Sequence, residues 1–355
     1  MVATGLILGT ALGFVMQRGR FCVTNALREV WVARRGRWLT AFFIVIALQS
    51  AGVFALQSAG VITLPQESLP LAGVLLGSLL FGLGIVLAGG CATGTYYRSG
   101  EGLVGSWIAL ALYGLSAAAM KYGVLSGANE GLRNRTVELT TLQQSLGVTP
   151  WVLVGLLLVG TGVATWWHLA RRRRAAQLPP RFTGVRHVLF EKPWHPFVTA
   201  ILIGVIAIAA YPLSFATGRE SGLGITTPSA DIVAYLVTGD TEYGWNWGVL
   251  LVLGLLVGSY IAAKGAGEFK IRTPDARTTV RSVAGGTLMG VGAAWAGGCT
   301  IGNAMVQTAQ FSYAGWLSLI FIFLGVGVGV RFFVTPHRRQ GALTPAQASP
   351  APARA

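Results

Sequence analysis

The 355-residue chain is 53% hydrophobic and only 11% charged, with a mean hydropathy of +0.61. These values exclude an ordinary water-soluble globular domain and make the lipid bilayer the expected solvent. The formal charge of +15 would suit a nucleic-acid binder, but its placement in alternate loops between apolar runs is the pattern of topology signals and headgroup contacts, so no nucleic acid is expected as a partner.

About nine runs approach the ~20 apolar residues that a membrane crossing needs. They lie at about 2–16, 38–59, 70–90, 104–120, 150–169, 197–213, 247–263, 282–298 and 314–333. The first lacks a basic n-region and a small-residue cleavage site, so it reads as a permanent helix and not as a processed leader. It leads into Arg18, Arg20, Arg28, Arg34, Arg35 and Arg37. The fifth run is followed by Arg171 to Arg174, Arg181, Arg186 and Lys192, and the seventh by Lys264, Lys270, Arg272, Arg277 and Arg281. The positive-inside rule makes these loops cytoplasmic, and nine spans then place the N-terminus outside and the C-terminus inside.

The fold class expected is an all-α polytopic membrane protein with about nine transmembrane helices, plus short re-entrant or broken helices, in one membrane domain over about 1–336. Between the fourth and fifth runs, the loop from Lys121 to Thr149 mixes Lys121, Arg133 and Arg135 with Glu130 and Glu138. It reads as a solvated loop, with attraction of an anion to an entrance as the alternative. The basic stretch of about 170–196 reads as a cytoplasmic linker, and the Ala- and Pro-rich tail of 337–355 as a disordered cytoplasmic extension.

The segment Gly77 to Gly94 recurs as Gly285 to Gly302. Gly77, Leu80, Gly82, Gly84, Ala88, Gly89, Gly90, Cys91 and Gly94 match Gly285, Leu288, Gly290, Gly292, Ala296, Gly297, Gly298, Cys299 and Gly302. A fainter pairing sets Cys22-Val23-Thr24 against Gly224-Ile225-Thr226. The matched runs are the third and the eighth, and an odd separation reverses orientation. Two inverted-topology repeats are therefore expected, at about 1–120 and about 197–333, with a solute site where they meet. The alternative is an old duplication kept for packing, since Gly5, Gly9 and Gly13, and Gly254 and Gly258, have the spacing of small-residue helix contacts.

Gly-Gly at the end of an apolar helix lets the backbone leave the α region, so Gly89, Gly90 and Gly94, and Gly297, Gly298 and Gly302, are expected to support breaks in their helices. Broken backbone at membrane depth survives only where it is buried in protein or lines a polar cavity. Breaks at the membrane surface, with solvated polar residues, are the alternative.

The only three cysteines, Cys22, Cys91 and Cys299, all follow glycine-bearing turns. An odd number leaves at least one free thiol. Small buried hydrophobes, ligands for a soft metal and an activated nucleophile are alternatives. The spacing holds no Cys-x-x-Cys pair, and His168, His187, His195 and His337 lie at or beyond cytoplasmic ends, so no metal, cofactor or catalytic residue is expected. A neutral thiol is a weak donor and a soft contact. Three spaced thiols suit a solute with a polarizable sulfur that must be held and released in turn.

With these motifs in hand, the chain resembles the YeeE/YedE sulfur-transport family. The likeness is carried by Gly13-Phe14-Val15-Met16-Gln17-Arg18-Gly19-Arg20-Phe21-Cys22, Leu87-Ala88-Gly89-Gly90-Cys91-Ala92-Thr93-Gly94, Ala296-Gly297-Gly298-Cys299 and Glu191-Lys192-Pro193-Trp194-His195-Pro196-Phe197. It covers nearly everything up to about residue 335. The resemblance implies uptake of thiosulfate, with Cys22, Cys91 and Cys299 as relay contacts for its terminal sulfur. It also implies a cytosolic TusA-like sulfur-carrier protein, YeeD-like, as the receiving partner. Another sulfur or selenium compound, or a membrane-embedded thiol redox enzyme, is the alternative. No Walker-type phosphate loop is present, so transport would be passive, ion-coupled or drawn by consumption of the product.

Overall fold

Each apolar run becomes a helix in the computed structural model, which describes residues 2–65, 68–171 and 184–335. The long helices are α1 (Ala3–Gly19), α3 (Arg37–Ser58), α4 (Leu71–Leu87), α6 (Val104–Lys121), α9 (Pro150–Ala170), α10 (Pro196–Phe215), α12 (Trp247–Gly265), α13 (Ala276–Ala296) and α14 (Tyr313–Gly329). Shorter ones fill the turns between them: α2 (Val23–Ala33), α5 (Ala92–Gly100), α7 (Ser126–Arg133), α8 (Leu142–Leu146) and α11 (Thr226–Thr238). Among the described residues there are isolated bridges and no strand. Eight helical stretches are long and apolar enough to cross a membrane. The remaining long helix, α13, has 21 residues but opens on Arg277 and Arg281 and is rich in glycine and alanine, which makes it the least apolar of the nine.

Glycine decides how these helices pack. On α1, Cβ atoms at Gly5, Gly9 and Gly13 would run into the carbonyls of Trp247, Leu251 and Leu255 on α12, and Gly254 and Gly258 of α12 stand equally close to Leu6 and Thr10. Gly77 and Gly84 of α4 meet α13 at Gly292 and Met289, while Gly285 and Gly292 of α13 press on Ala88 and Phe81. Such backbone-to-backbone contact replaces the hydrophobic drive that lipid removes between membrane helices. The small-residue spacings therefore do serve packing.

The pairings follow a rule of exchange. Helix α1 packs on α12 and α10 on α3; α4 packs on α14 and α13 on α6; α2 touches α14 and α11 touches α6. Helix α4 also meets α13, and α1 meets α10. Helix α9 stands outside this set. It leans on α3 and buries only Val154 and Thr161, leaving apolar residues such as Leu156, Val159 and Trp166 outward. A helix apolar all round with so little buried is suited to lipid contact.

The loop from Lys121 to Thr149 is more ordered than its composition suggests. It carries α7 and α8 and is pinned by paired backbone bonds between Leu69 and Val137 and by a bridge from Thr141 to Ser312. The tail of 337–355, with His337, and the linker's Arg172 to Arg174 and Arg181 lie outside the described residues.

Candidate functional site

Four times the chain ends a long helix, turns, and starts another. The turns carry Cys22 between α1 and α2, Cys91 between α4 and α5, Ile225 between α10 and α11, and Cys299 beyond α13. In each, the carbonyl of that residue accepts the first bond of the next helical segment, from Ala26, Thr95, Ser229 and Asn303 respectively. These helix starts align Cys22 with Ile225, one residue beyond the Gly224 pairing suggested by sequence. A Cβ at Gly224 would lie 2.6 Å from Arg219 Nη2. The Arg219 guanidinium, 5.6 Å from the Trp247 ring centroid, therefore fills the space that a side chain there would need. Burial holds Arg219 below its ordinary pKa, opposed by the Asp231 carboxylate.

The two Gly-Gly-Cys breaks share one geometry. Gly89 and Gly297 both take left-handed backbone, with φ of 74° and 80°, a conformation that costs a residue with a Cβ about 1–2 kcal/mol. The freed carbonyl ends find side-chain donors. Arg98 Nη1 donates to the Gly89 carbonyl, and Asn303 Nδ2 donates to the Ala296 carbonyl at 2.7 Å and to Ser318 Oγ at 3.2 Å. Arg98 does not form a close ion pair with Glu101; the Glu101 carboxylate accepts from Gln17 Nε2 at 3.2 Å instead.

All three cysteines are buried and free. The Cys22 and Cys91 thiols are hydrogen-bonding neighbours, far apart in sequence but joined here at the start of α2 and α5. Both crowd Gly94, where a Cβ would sit 3.1 Å from Cys22 Sγ and 3.4 Å from Cys91 Sγ. The Cys91 thiol also lies beside the Thr300 hydroxyl, next in the chain to Cys299. Cys299 in turn is within electrostatic range of the Tyr96 and Tyr113 hydroxyls, which bond to Ser229 Oγ and Thr226 Oγ1, each at 2.8 Å. Cys22 and Cys91 thus meet directly, and Cys299 joins them through its chain neighbour Thr300. Gly302, by contrast, has nothing within 4 Å of where a Cβ would stand.

Two cavities lie near these turns. The first, about 300 Å³, is lined by Gly297, Asn303, Gln307 and Gln310 and by Arg133 at the end of α7. Arg133 lies directly against Gly297. The second, about 420 Å³, is lined by Asn25, Tyr97, Arg98, Glu101, Arg20 and Lys270. The first cavity therefore borders the break around Cys299 at Gly297 and Asn303, and the second reaches Asn25 on α2 and Tyr97 and Arg98 on α5, the helices that Cys22 and Cys91 begin.

A family model described as sulphur transport matches residues 18–328, a stretch that contains all four turns. The chain belongs to the sulphur transport family. It is 51% identical over 341 residues to the thiosulfate transporter TsuA of Escherichia coli (strain K12), covering 96% of this chain and 97% of that protein. It is 33% identical over 339 residues to the thiosulfate transporter TsuA of Spirochaeta thermophila, covering 92% and 97%. A shorter likeness, 38% over 104 residues, links it to the probable transporter YedE of Escherichia coli, with 29% and 25% covered. As a sulphur transport family protein it is a multi-pass membrane transporter and not an enzyme.

The sequence singles out the three cysteines and the glycines of both breaks. It does not single out Arg98 and Asn303 as closing donors, Arg133 as part of a cavity, or the buried hydroxyls beside the thiols. Their signal is position: apart from Tyr113, which lies within α6, each falls within a few residues of a break or in the loop facing one.

Proposed function

We propose that this protein takes up thiosulfate across the bacterial inner membrane, with its N-terminus in the periplasm and its C-terminus in the cytoplasm. The observation that carries the reading is the meeting of buried thiols, with Cys22 and Cys91 side by side at Gly94 and Cys91 against Thr300, the neighbour of Cys299. The likeness to two thiosulfate transporters supports the choice of cargo.

In this reading the anion enters the cavity bordered by Arg133 and Asn303 and meets Cys299. It passes to Cys91 and Cys22, then leaves through the cavity bordered by Arg98 and Arg20. Each neutral thiol gives the terminal sulfur a soft, weak contact, and several weak sites in series let a solute bind and still leave. The helix exchange between the halves supports two inverted repeats about a pseudo-twofold axis in the membrane plane. A TusA-like carrier protein would collect the sulfur at the cytoplasmic mouth.

The test is uptake of labelled thiosulfate by cells that express the protein as their sole route. Cys22→Ala, Cys91→Ala and Cys299→Ala should each abolish uptake while the protein still inserts. Wild-type uptake in all three variants would sink the relay.

A further inference from the structure

Hydroxyls buried in helices ordinarily bond back to a carbonyl three or four residues earlier. In and around the half-helices here, most do. Thr95 donates to the Cys91 and Ala92 carbonyls, Ser99 to Thr95, and Ser229 to Ile225. Thr226 is engaged by the Tyr113 hydroxyl. Three threonines break the pattern. Thr24, Thr93 and Thr300 are each at most 1% exposed; among the described residues the Thr24 and Thr93 hydroxyls have no hydrogen-bond partner, and the Thr300 hydroxyl has no oxygen or nitrogen partner, only the Cys91 thiol beside it.

Their places in the chain are not scattered. Thr24 stands two residues after Cys22, Thr93 two after Cys91, and Thr300 one after Cys299. Thr24 and Thr93 lie in the first turns of α2 and α5, where no earlier turn offers a carbonyl. Thr24 and Thr93 thus stand at the same two helix starts as Cys22 and Cys91. The Thr300 hydroxyl lies against the Cys91 thiol itself. Buried donors are rarely left unpaired without a functional reason, and these three share one trait: each stands within two residues of a cysteine.

We propose that Thr24, Thr93 and Thr300 are specificity-determining residues that bind the oxygen end of the substrate, a small oxyanion that carries a terminal soft sulfur. This rests on the thiosulfate reading above and adds its second half. Thiols suit the polarizable sulfur, and hydroxyl donors suit the charged oxygens. A site with both kinds of contact separates such an anion from sulfate, which lacks the soft end, and from hydrosulfide, which lacks the oxygens.

The test uses Thr24→Val, Thr93→Val and Thr300→Val, singly and combined, with the three Thr→Ser variants. Ser78→Ala serves as a control, since Ser78 is equally buried and unpartnered but lies on α4, well before the break. Labelled thiosulfate uptake gives the half-saturation concentration, and thermal unfolding of the ligand-free purified protein gives stability. Removing an unpaired hydroxyl while keeping the side chain's shape should leave the melting temperature unchanged or raised. Each Val variant should raise the half-saturation concentration about tenfold, the scale of one hydrogen bond to a charged group. Serine should restore it, and Ser78→Ala should do nothing.

An unchanged half-saturation in the combined Val variant overturns the proposal. So does a lowered melting temperature with no recovery by serine, which would make these side chains packing elements. Cys91→Ala runs in the same assay: loss of uptake there with unaffected Val variants removes only the hydroxyls, whereas wild-type uptake there removes the thiol relay beneath them.

Discussion

The Cys91 and Cys299 breaks are built from the same residues and finished differently. Both bend at a left-handed glycine. At the first, the next segment is a regular helix, α5, closed by the long guanidinium of Arg98, and two thiols converge on Gly94. At the second, the chain winds more widely over Gly302–Gln307, with the short amide of Asn303 as its closure and open space at Gly302. Wide turns of this kind are rare and collect at functional sites. The repeated sequence thus sets where the helix breaks, while the residues after it decide whether the third position beyond the cysteine is crowded by a thiol pair, as at Gly94, or open, as at Gly302.

The sharpest way to break this comparison is the glycine three residues after each cysteine. Gly94→Ala would press a methyl on both Sγ atoms, at 3.1 and 3.4 Å, and overpacking of that kind should cut labelled thiosulfate uptake about tenfold or more. Gly302→Ala meets nothing within 4 Å and should transport like the parent. Equal behaviour of the two variants would mean that the thiol pair plays no special part.

The closing donors come next in size. Asn303→Leu removes bonds to Ala296 and Ser318 and strands a buried carbonyl, and Arg98→Met strands that of Gly89. Each should lower stability by about 1–3 kcal/mol in thermal or denaturant unfolding. Arg98→Met should slow uptake beyond its stability loss by more than Asn303→Leu does, because its charge lies within electrostatic range of Cys22. A uniform effect from both would make Arg98 a cap and nothing more.

Much of this architecture is legible in the residues alone. Nine apolar runs become nine long helices because lipid forces a spanning backbone to satisfy itself within a helix. Gly89-Gly90-Cys91 and Gly297-Gly298-Cys299 announce their breaks because glycine alone relaxes the steric limits there. The meeting of Cys22 with Cys91 leaves no local trace, since it depends on how α1 and α4 are held by other helices. Helix α11 is hidden because Thr226–Thr238 includes Pro228 and Asp231 and is too short to read as a span. Proximity in sequence would pair Arg98 with Glu101, but the broken helix end gives Arg98 a more demanding partner.

A smaller contrast lies in the left-handed glycines themselves. Gly89→Ala and Gly297→Ala should each lose about 1–2 kcal/mol from the backbone strain. A Cβ at Gly89 meets only Arg98 Nη1, at 3.6 Å, whereas at Gly297 it collides with the Arg133 guanidinium. Gly297→Ala should therefore displace Arg133 from its cavity and weaken thiosulfate affinity, an effect that Gly89→Ala lacks. Comparing half-saturation at matched expression checks this, and equal values would remove Arg133 from the path.

The smallest expected effect concerns pH and belongs to the first break alone. The Gln17 amide donates to both Glu101 and Glu268, at 3.2 and 2.8 Å. Burial raises the Glu101 carboxyl above its ordinary range, opposed by the Gln17 bond and the charges of Arg98 and Arg20 and reinforced by Glu268. The folded state therefore holds this proton more tightly than the unfolded state does. The stabilisation is complete below the ordinary carboxylate range and is lost as pH climbs through the raised folded value. Glu101→Gln keeps an acceptor for Gln17 without the charge, so it should match the parent in acid and melt about one to two degrees higher near pH 8, a modest gain at a partly solvated site. A gain of equal size at pH 4 and pH 8 would show that the amide packs better for reasons unrelated to the proton. Asn303 closes the second break with a group that does not titrate, so no such pH step is expected from its variants.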